Sequence, residues 1–480
     1  MLLLQPILGK TQIKREGVGI QRSPRDHDIA VRLQGHQNGK ARLRVGEGRC
    51  YDPDVLQQRL GSKETAMDIM YRNVAGLDVH HKTVVACVRR VQPKGDIVEE
   101  VRTFGTMTRD LLQLSDWLAQ HGVSHVAMES TGVLWKPIWN ILEGEFELLL
   151  VNPRTLKRVP GRKSDVQDCQ WIAQLLHCGL LRSSFVPPRP QRELRDLTRH
   201  RAPLASAPTR VVNRLPKTLA DTNLKLGAVA SDILGKSSQA MLAALLASQR
   251  DPAKLADLAQ GRLRGQIPEL QAALQGRLTE HHGFLVRRLL DHLQYLEAQI
   301  DAFSARIEAC LRPFVDDQAM QRLDAIPGVN RRTVENVVAE IGTDMRWFPD
   351  AEHLSSWAGM SPGNEASAGK RMRRRTTTGN RWLRRALTEA AWAAGHTKDS
   401  YLGAQYRRLA PRRGQKRALV AVGHSLLVIF YQLLQRGVAY QDLGADYFTN
   451  LKPEQYRRYL VKRLESLGFQ VTLEPKEPAA

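Results

Sequence analysis

The sequence predicts an α/β domain near the N-terminus, followed by a mainly helical chain. Residues 71–190 alternate between strand and helix patterns of hydrophobic residues, whereas helical spacing dominates from residue 191 onward. The length of 480 residues suits roughly three domains at about 150 residues each. A composition of 42% hydrophobic and 25% charged residues is typical of a globular chain.

The α/β region begins with strands and then alternates helices with strands. A hairpin turn at Pro93–Asp96 joins its first two strand patterns, and Gly122 ends the first helix. This order is typical of an RNase H-like domain. The predicted strands are Val74–Val91 (one strand or a hairpin arm), Ile97–Phe104, Val123–Met128 and Phe146–Val151, and the predicted helices are Thr108–His121, Leu134–Leu142 and Ser164–Cys178.

Residues 191–318 are predicted to form a helical and coiled-coil region. It contains an apolar stripe spaced alternately by four and three residues, as in a coiled-coil seam. Two interpretations stay open: the stripe pairs two subunits, or it packs as a helical hairpin on its own chain. The stripe consists of Leu289, Leu293, Leu296, Ile300, Phe303 and Ile307.

The remaining boundaries follow from changes in composition. Residues 319–446 are predicted to form a mainly α C-terminal domain with a helix-hairpin-helix-like segment, and 447–480 a helix and tail. Residues 1–66 show no sustained period, which favours a disordered arm or translated upstream sequence with the natural start at Met67 or Met70. A basic arm that follows phosphates is the alternative. The α/β domain is assigned to 67–190.

The net charge of +22 favours a polyanionic partner and disfavours an enzyme for neutral small molecules. The positive charge is concentrated in residues 320–420, with 19 basic and 9 acidic residues, against 15 and 13 in residues 67–190. The five cysteines form no CxxC pair, so a zinc ribbon or disulfide framework is disfavoured and a reducing cytoplasm fits. The sequence pattern predicts no membrane span.

Four acidic residues are candidates for a metal centre. Asp78 lies in the first strand, Glu129 at the end of a later strand, and Asp165 and Asp168 three residues apart on one helix face. Carboxylates brought together repel one another unless cations neutralise them, and Mg²⁺ or Mn²⁺ prefers such oxygen ligands. Each acid alone is weak evidence, because a bulge or edge position in a strand, or a solvated helix face, explains a single acid more simply.

A second candidate site lies in the basic C-terminal segment. The Ile326–Val329 turn, with Gly328, would expose backbone N–H groups that can hold a phosphate. Ser367 lies in a glycine-rich turn beside a basic cluster, as a nucleophile attacking a phosphoryl group requires. A structural turn serine before a phosphate-binding loop is the alternative. The predicted nucleic-acid contacts are Gly328, Lys370, Arg371, Arg373, Arg374, Arg375, Arg381, Arg384 and Arg385.

Five segments together resemble the transposases of IS110-type insertion sequences, which are related to the Piv DNA invertase. They are GLDVHHKTVVACV, AMESTG, KSDVQDCQWIAQLL, DAIPGV and PGN-x-x-SAGK-x-x-R-x-TTTGNRWLRRAL. The resemblance runs from about residue 67 to the end. Residues 1–66 have no counterpart in it, and NEASAGK departs from the usual Asn-Glu-Ser register, so Ser361 and Thr376–Thr378 are reserve hydroxyls.

The resemblance implies a RuvC-like domain whose DEDD residues are Asp78, Glu129, Asp165 and Asp168, binding Mg²⁺ or Mn²⁺. It implies that Ser367 forms a covalent link to DNA, that an element-encoded guide RNA directs the enzyme, and that subunits of a dimer or tetramer share active sites. The expected location is the bacterial cytoplasm, at the nucleoid when DNA is bound, with no membrane partner. The alternatives are a RuvC-like nuclease or resolvase without a covalent intermediate and an inactive nucleic-acid-binding relic.

Overall fold

The computed structural model describes residues 69–130, 132–153, 165–362, 379–451 and 453–473, together with a few short segments between them. The chain divides into two compact units, residues 1–186 and 187–480. Within the first 66 residues, three short strands pair antiparallel in chain order: β1 (Leu33–Gly35), β2 (Ala41–Arg44) and β3 (Cys50–Tyr51).

The first unit is built on a five-stranded sheet in the order β6-β5-β4-β7-β8. β5 pairs antiparallel with both β4 and β6, whereas β7 pairs parallel with β4 and β8 pairs parallel with β7. The elements are β4 (Asn73–Val79), β5 (Thr83–Val91), β6 (Ile97–Gly105), α1 (Thr108–Gln120), β7 (His125–Glu129), α2 (Trp135–Leu142), β8 (Glu147–Val151) and α3 (Asp165–His177).

Helices cover both faces of this sheet because β4 and β7 are apolar on both sides. On one face, Leu77 and Met128 pack with α1 and α2 in the larger core. On the other face, Val74 and Ala127 pack against Ile172 of α3. The predicted order of strands and helices is confirmed, with Val74–Val91 resolved into two strands. The unit is a mixed α/β sheet domain.

The second unit is mostly helical. The division of the chain falls before its first helix, so the predicted boundary at residue 190 lies inside α4. Its helices are α4 (Arg189–Val212), α5 (Leu215–Ala220), α6 (Leu226–Val229), α7 (Lys236–Leu246), α8 (Pro252–Ala256), α9 (Ile267–Ala273), α10 (Glu280–Leu311), α11 (Asp317–Asp324), α12 (Arg331–Ile341), α13 (Ala351–Trp357), α14 (Arg381–His396), α15 (Tyr401–Arg413), α16 (Gln415–Arg436), α17 (Tyr447–Asn450) and α18 (Pro453–Glu465). Strands β9 (Ala366–Ser367) and β10 (Lys370–Arg371) pair antiparallel, and short 3-10 helices span Gly261–Gln266 and Met345–Trp347.

The heptad stripe lies on α10, and the chain's own helix α4 covers it. Leu293 and Leu296 are buried against Val211, and the ring of Phe303 stacks on His200 at 6.4 Å between centroids. These contacts run in opposite directions along the two helices, so α4 and α10 are antiparallel. The structure therefore shows the hairpin alternative, and the expectation that this stripe pairs subunits is corrected.

Helix α16 is the one described helix that is long and apolar enough to span a membrane, judged by length and composition alone. Its Leu426, Leu427 and Phe430 are fully buried, and α14 and α15 pack against it. The apolar run therefore forms the central helix of the second unit.

Candidate active site

Asp78 and Glu129 lie at the carboxyl ends of two adjacent parallel strands. The β4–β7 register pairs Leu77 with Met128, so the next residue on each strand is Asp78 and Glu129. Neighbouring strands lie about 4.8 Å apart. Because side chains alternate along a strand, both carboxylates project to the face that Val74 and Ala127 share with α3. The strand pairing thus brings two of the predicted acids together.

Gly76 allows α3 to cross this face at close range. A Cβ on Gly76 would lie 2.2 Å from the Cys169 carbonyl oxygen and 2.5 Å from the Ala173 amide nitrogen. Cys87 of β5 and Cys169 of α3 meet in the same dry layer, where a hydrogen bond between the two thiols and burial raise the pKa of Cys87. The helix is therefore fixed against the strand two residues before Asp78.

The direction of α3 places its first turn at the carboxylate end of the sheet. The carbonyl oxygen of His177, at its C-terminal end, accepts a hydrogen bond from the Met70 amide at 3.0 Å, just before β4. Since Gly76 contacts the middle of the helix, Asp168 and Asp165 lie toward the end of β4 that carries Asp78. Asp168 is half-buried, and the side chain of Asp165 lies outside the described residues.

His80 joins this end of the sheet, although the sequence interpretation did not single it out. Its Nε2 lies 3.1 Å from Asp78 Oδ2, and the Asp78 side chain is 15% exposed. The signal in the sequence was the His-His pair directly after GLDV, two residues from the acid. His80 can hold the Asp78 carboxylate in one orientation.

The donor set suits a hard divalent cation, because Asp78, Glu129 and Asp168 offer carboxylate oxygens on one face of the domain. Among the side chains that the structure describes, no group of three or more His, Cys, Asp or Glu residues is arranged to hold a metal ion. The fourth acid, Asp165, begins α3, and its side chain is outside that set. The metal centre and its ligand geometry therefore stay a prediction.

The segment with Ser367 forms a small hairpin in the second unit. Ser367 pairs with Lys370, and Ala366 with Arg371, in the β9–β10 ladder. The side chains of these residues lie outside the described set, as do Arg373, Arg374, Arg375, Thr377 and Thr378 altogether. Of the reserve hydroxyls, Ser361 and Thr376 are half-buried, and Thr376 forms a bridge with Pro362.

The last predicted basic residues occupy the first turns of α14. Asn380 caps this helix, because its Oδ1 accepts from the Trp382 and Leu383 amides at 3.0 and 3.2 Å. Arg381 lies 4.6 Å above the Trp382 ring, and Arg385 forms an exposed ion pair with Glu389 at 2.8 Å. Arg384 is half-buried. These arginines are held on a rigid helix.

Gly328 contacts the backbone of α14. Its φ is +78°, and a Cβ would lie 2.3 Å from the Ala394 amide nitrogen. Helices α11 and α12 flank its turn. Positive φ and close packing together explain the glycine, and phosphate binding there stays a prediction.

Glu340 connects this region to α4, and nothing in the sequence pattern pointed to it. Its side chain is 2% exposed, and its carboxylate accepts two hydrogen bonds from the Arg199 guanidinium, at 2.7 and 2.8 Å. Asn380 Nδ2 donates to the same carboxylate at 2.6 Å. Arg195 also contacts Glu340, and its pKa is lowered to about 10 because burial disfavours its charge. The N-terminus of α14, directly after the serine segment, is thereby tied to two other helices.

Two family models match the chain: the first begins in the first unit and extends into the second, and the other lies within the second unit. A model described as "Transposase" matches residues 75–224, and the "Transposase IS116/IS110/IS902 family" matches residues 320–407. A "Probable family 20 transposase" of Pseudomonas aeruginosa is 25% identical over 334 residues, covering 68% of this chain and 89% of that protein. The "Transposase for insertion sequence element IS1111A" of Coxiella burnetii is 26% identical, covering 61% and 72%.

Among solved structures, the chain is similar to Thermus thermophilus RuvC. The match has a TM-score of 0.19 and 14% identity, and covers 23% of this chain and 99% of that one. The family matches define the class of protein as a transposase, a DNA-processing enzyme. The family models and the names of the relatives support an IS110 family transposase.

Proposed function

We propose that this transposase cuts and rejoins DNA through a covalent phosphoserine intermediate on Ser367. We propose that Asp78, Glu129, Asp165 and Asp168 hold Mg²⁺ or Mn²⁺. The observation that carries the proposal is the placement of Asp78 and Glu129 at adjacent carboxyl ends of β4 and β7, under the first turns of α3. Two carboxylates held side by side on one sheet face, with the helix that carries Asp165 and Asp168 packed on that face, support a metal centre for phosphoryl transfer.

The chemistry divides between the two constellations. Bound divalent ions would neutralise charge on the scissile phosphate, and the carboxylates would hold them there. The Ser367 oxygen forms a bond to phosphorus while the bond from phosphorus to the leaving deoxyribose oxygen breaks, and the serine proton passes to solvent or a carboxylate. The number of phosphoester bonds is unchanged, so rejoining needs no ATP.

The further proposals concern partners. The concentration of basic residues in 320–420 supports contact with DNA and with a guide RNA encoded by the element. We propose that the protein acts as a dimer or tetramer in the bacterial cytoplasm, at the nucleoid when DNA is bound. Flanking DNA able to fold and to pair with both the element junction and the target would support the guide RNA.

Strand cleavage by three single variants tests the metal centre. Asp78→Asn should abolish cleavage of a junction substrate in Mg²⁺, since it removes one ligand charge, yet nucleic-acid affinity should stay within about twofold of wild type. Asp116→Asn removes an exposed aspartate of α1 and should leave cleavage intact. Ser367→Ala separates the mechanisms: cleavage that persists indicates a RuvC-like hydrolytic nuclease. Cleavage by Asp78→Asn in the presence of chelator would contradict the proposed centre.

A further inference from the structure

A cleft of about 350 Å³ opens in the second unit where faces of α4, α12 and α14 converge. Residues spaced by three or four along each helix line it, so each helix presents one continuous face. The lining residues that matter for binding are Arg199, Arg201 and Ala205 of α4, Arg332 of α12, and Trp382 and Arg385 of α14.

Buried ion pairs fix the walls of the cleft. Arg201 pairs with Glu335 at 2.5 Å, with side chains 2% and 5% exposed. Arg199 pairs with Glu340, whose carboxylate also accepts a hydrogen bond from Asn380, the residue that caps α14. Each pair joins α4 to α12, and the Asn380 contact adds α14. Because breaking such a buried pair leaves an uncompensated charge, the helices are held in one arrangement and the cleft is preformed.

The mouth of the cleft carries cations suited to an incoming anion. Arg332 is exposed and makes no ion pair with any side chain in the described part of the chain. The Arg385 pair with Glu389 is exposed on both sides and therefore weak. Four arginines and two glutamates line the cleft, a formal charge of +2. Ser206 and Thr209 add hydroxyl groups, and Trp382 adds an apolar wall.

We propose that this cleft binds a backbone phosphate of a DNA strand, with the sugar against Trp382. Arg332 and Arg385 would supply the guanidinium groups, which match the geometry of phosphate oxygens. The cleft is too small for a duplex and large enough for one nucleotide unit. The choice of DNA over RNA depends on the proposed function, because α14 begins directly after the segment that carries Ser367. Such a phosphate contact would guide the strand toward that segment.

The salt dependence of binding tests the cleft. The probe is a fluorescein-labelled 20-nucleotide single-stranded DNA, measured by anisotropy with the full chain between 50 and 300 mM NaCl. Removing two phosphate contacts with the Arg332→Ala/Arg385→Ala double variant should reduce the slope of log K against log salt by about 1.4. The matched control, Arg189→Ala/Arg312→Ala, removes two exposed arginines that pair with glutamates four residues away, and should change the slope by less than about 0.3.

A charge-neutral variant separates the cleft from bulk charge. Ala205→Phe fills the cleft and should weaken DNA binding at least fivefold, with the melting temperature showing that the chain is folded. Equal slopes for the two double variants, or wild-type affinity for folded Ala205→Phe, would overturn the inference. A loss confined to an RNA probe of the same sequence would also overturn the DNA assignment. If the double variant shows the predicted change in slope but the wild-type chain never forms a serine adduct, the phosphate-binding cleft is supported and the proposed function is refuted.

Discussion

At the scale of single residues, a few positions determine whether the acids can meet. Asp78 and Glu129 were identified from the sequence because each lies in or ends an apolar strand. Gly76 and Glu340 were not identified, because their roles depend on contacts with other elements of the fold. Helix α3 packs directly against the Cα of Gly76. The Glu340 carboxylate accepts hydrogen bonds from Arg199 of α4 and from Asn380, which caps α14. Contacts between segments so distant in sequence leave no local pattern.

Adding one methyl group at Gly76 should displace α3. Gly76→Ala would force the Cβ into the Cys169 carbonyl, and we expect a loss of about 1–3 kcal/mol in the free energy of unfolding. Urea unfolding followed by tryptophan fluorescence measures it. Gly265→Ala is the control, since a Cβ there meets nothing within 4 Å and should have almost no effect. Equal stability of the two variants would place α3 elsewhere.

Buried His177 should make stability depend on pH. Burial, and then nearby Arg89, lower the pKa of His177 below its usual 6.5. The unfolded state therefore binds the proton more readily than the folded state. The contribution of neutral His177 to the free energy of unfolding is fully present above about pH 6.5. It is lost as the pH falls toward the pKa of the folded state, by at most about 1.4 kcal/mol per pH unit.

Substituting His177 tests this dependence. His177→Gln should flatten the fall in unfolding free energy between pH 6.5 and 5, measured by urea unfolding at each pH. The exposed His281→Gln should leave the curve of the wild type unchanged. An unaltered pH dependence in His177→Gln would mean that this ring titrates normally in the folded chain.

At the scale of elements, hydrophobic periodicity predicted the type and order of the helices and strands well. It predicted poorly which element packs against which. The helices and strands of residues 71–178 lie within a few residues of their predicted bounds, because apolar spacing reports which face of each element is buried. The α10 stripe showed that a face is buried, and could not show whether the covering helix belongs to the same chain. Helix α4 covers it, through Leu204, Val211 and their neighbours. Residue spacing alone does not encode that choice.

The α10 stripe should therefore affect stability before assembly. Leu296→Ala should cost about 2–5 kcal/mol, because it leaves a cavity between α10 and α4. Tyr295→Ala, at a 59% exposed neighbour, should change stability by less than about 0.5 kcal/mol. Urea unfolding followed by circular dichroism reports both, and size-exclusion chromatography reports mass. If Leu296→Ala keeps the stability of the wild type and only dissociates an oligomer, the interpretation that the stripe pairs two subunits would be correct after all.

At the scale of the whole molecule, the sequence predicted two constellations in two units, and family models match each of them. The strands of the first unit put two acids side by side. The second unit holds the serine hairpin just before a helix anchored by buried ion pairs. Charge is divided in the same way, with the excess of basic residues in 320–420. This division of charge underlies the proposal that the acids of the first unit perform chemistry and the basic residues of the second unit bind nucleic acid.

Mass spectrometry of trapped complexes tests the central claim, that Ser367 becomes covalently linked to DNA with the help of the acidic centre. The wild-type chain, incubated with Mg²⁺, the proposed guide RNA and a nicked suicide substrate, should yield a denaturation-resistant adduct on the peptide containing Ser367. Ser367→Ala and Asp78→Asn should each bind the substrate normally and yield no adduct, because one lacks the attacking oxygen and the other a metal ligand. An adduct that maps to Ser361, Thr376–Thr378 or Tyr406 would contradict the assignment, and normal recombination by Ser367→Ala would contradict the covalent mechanism.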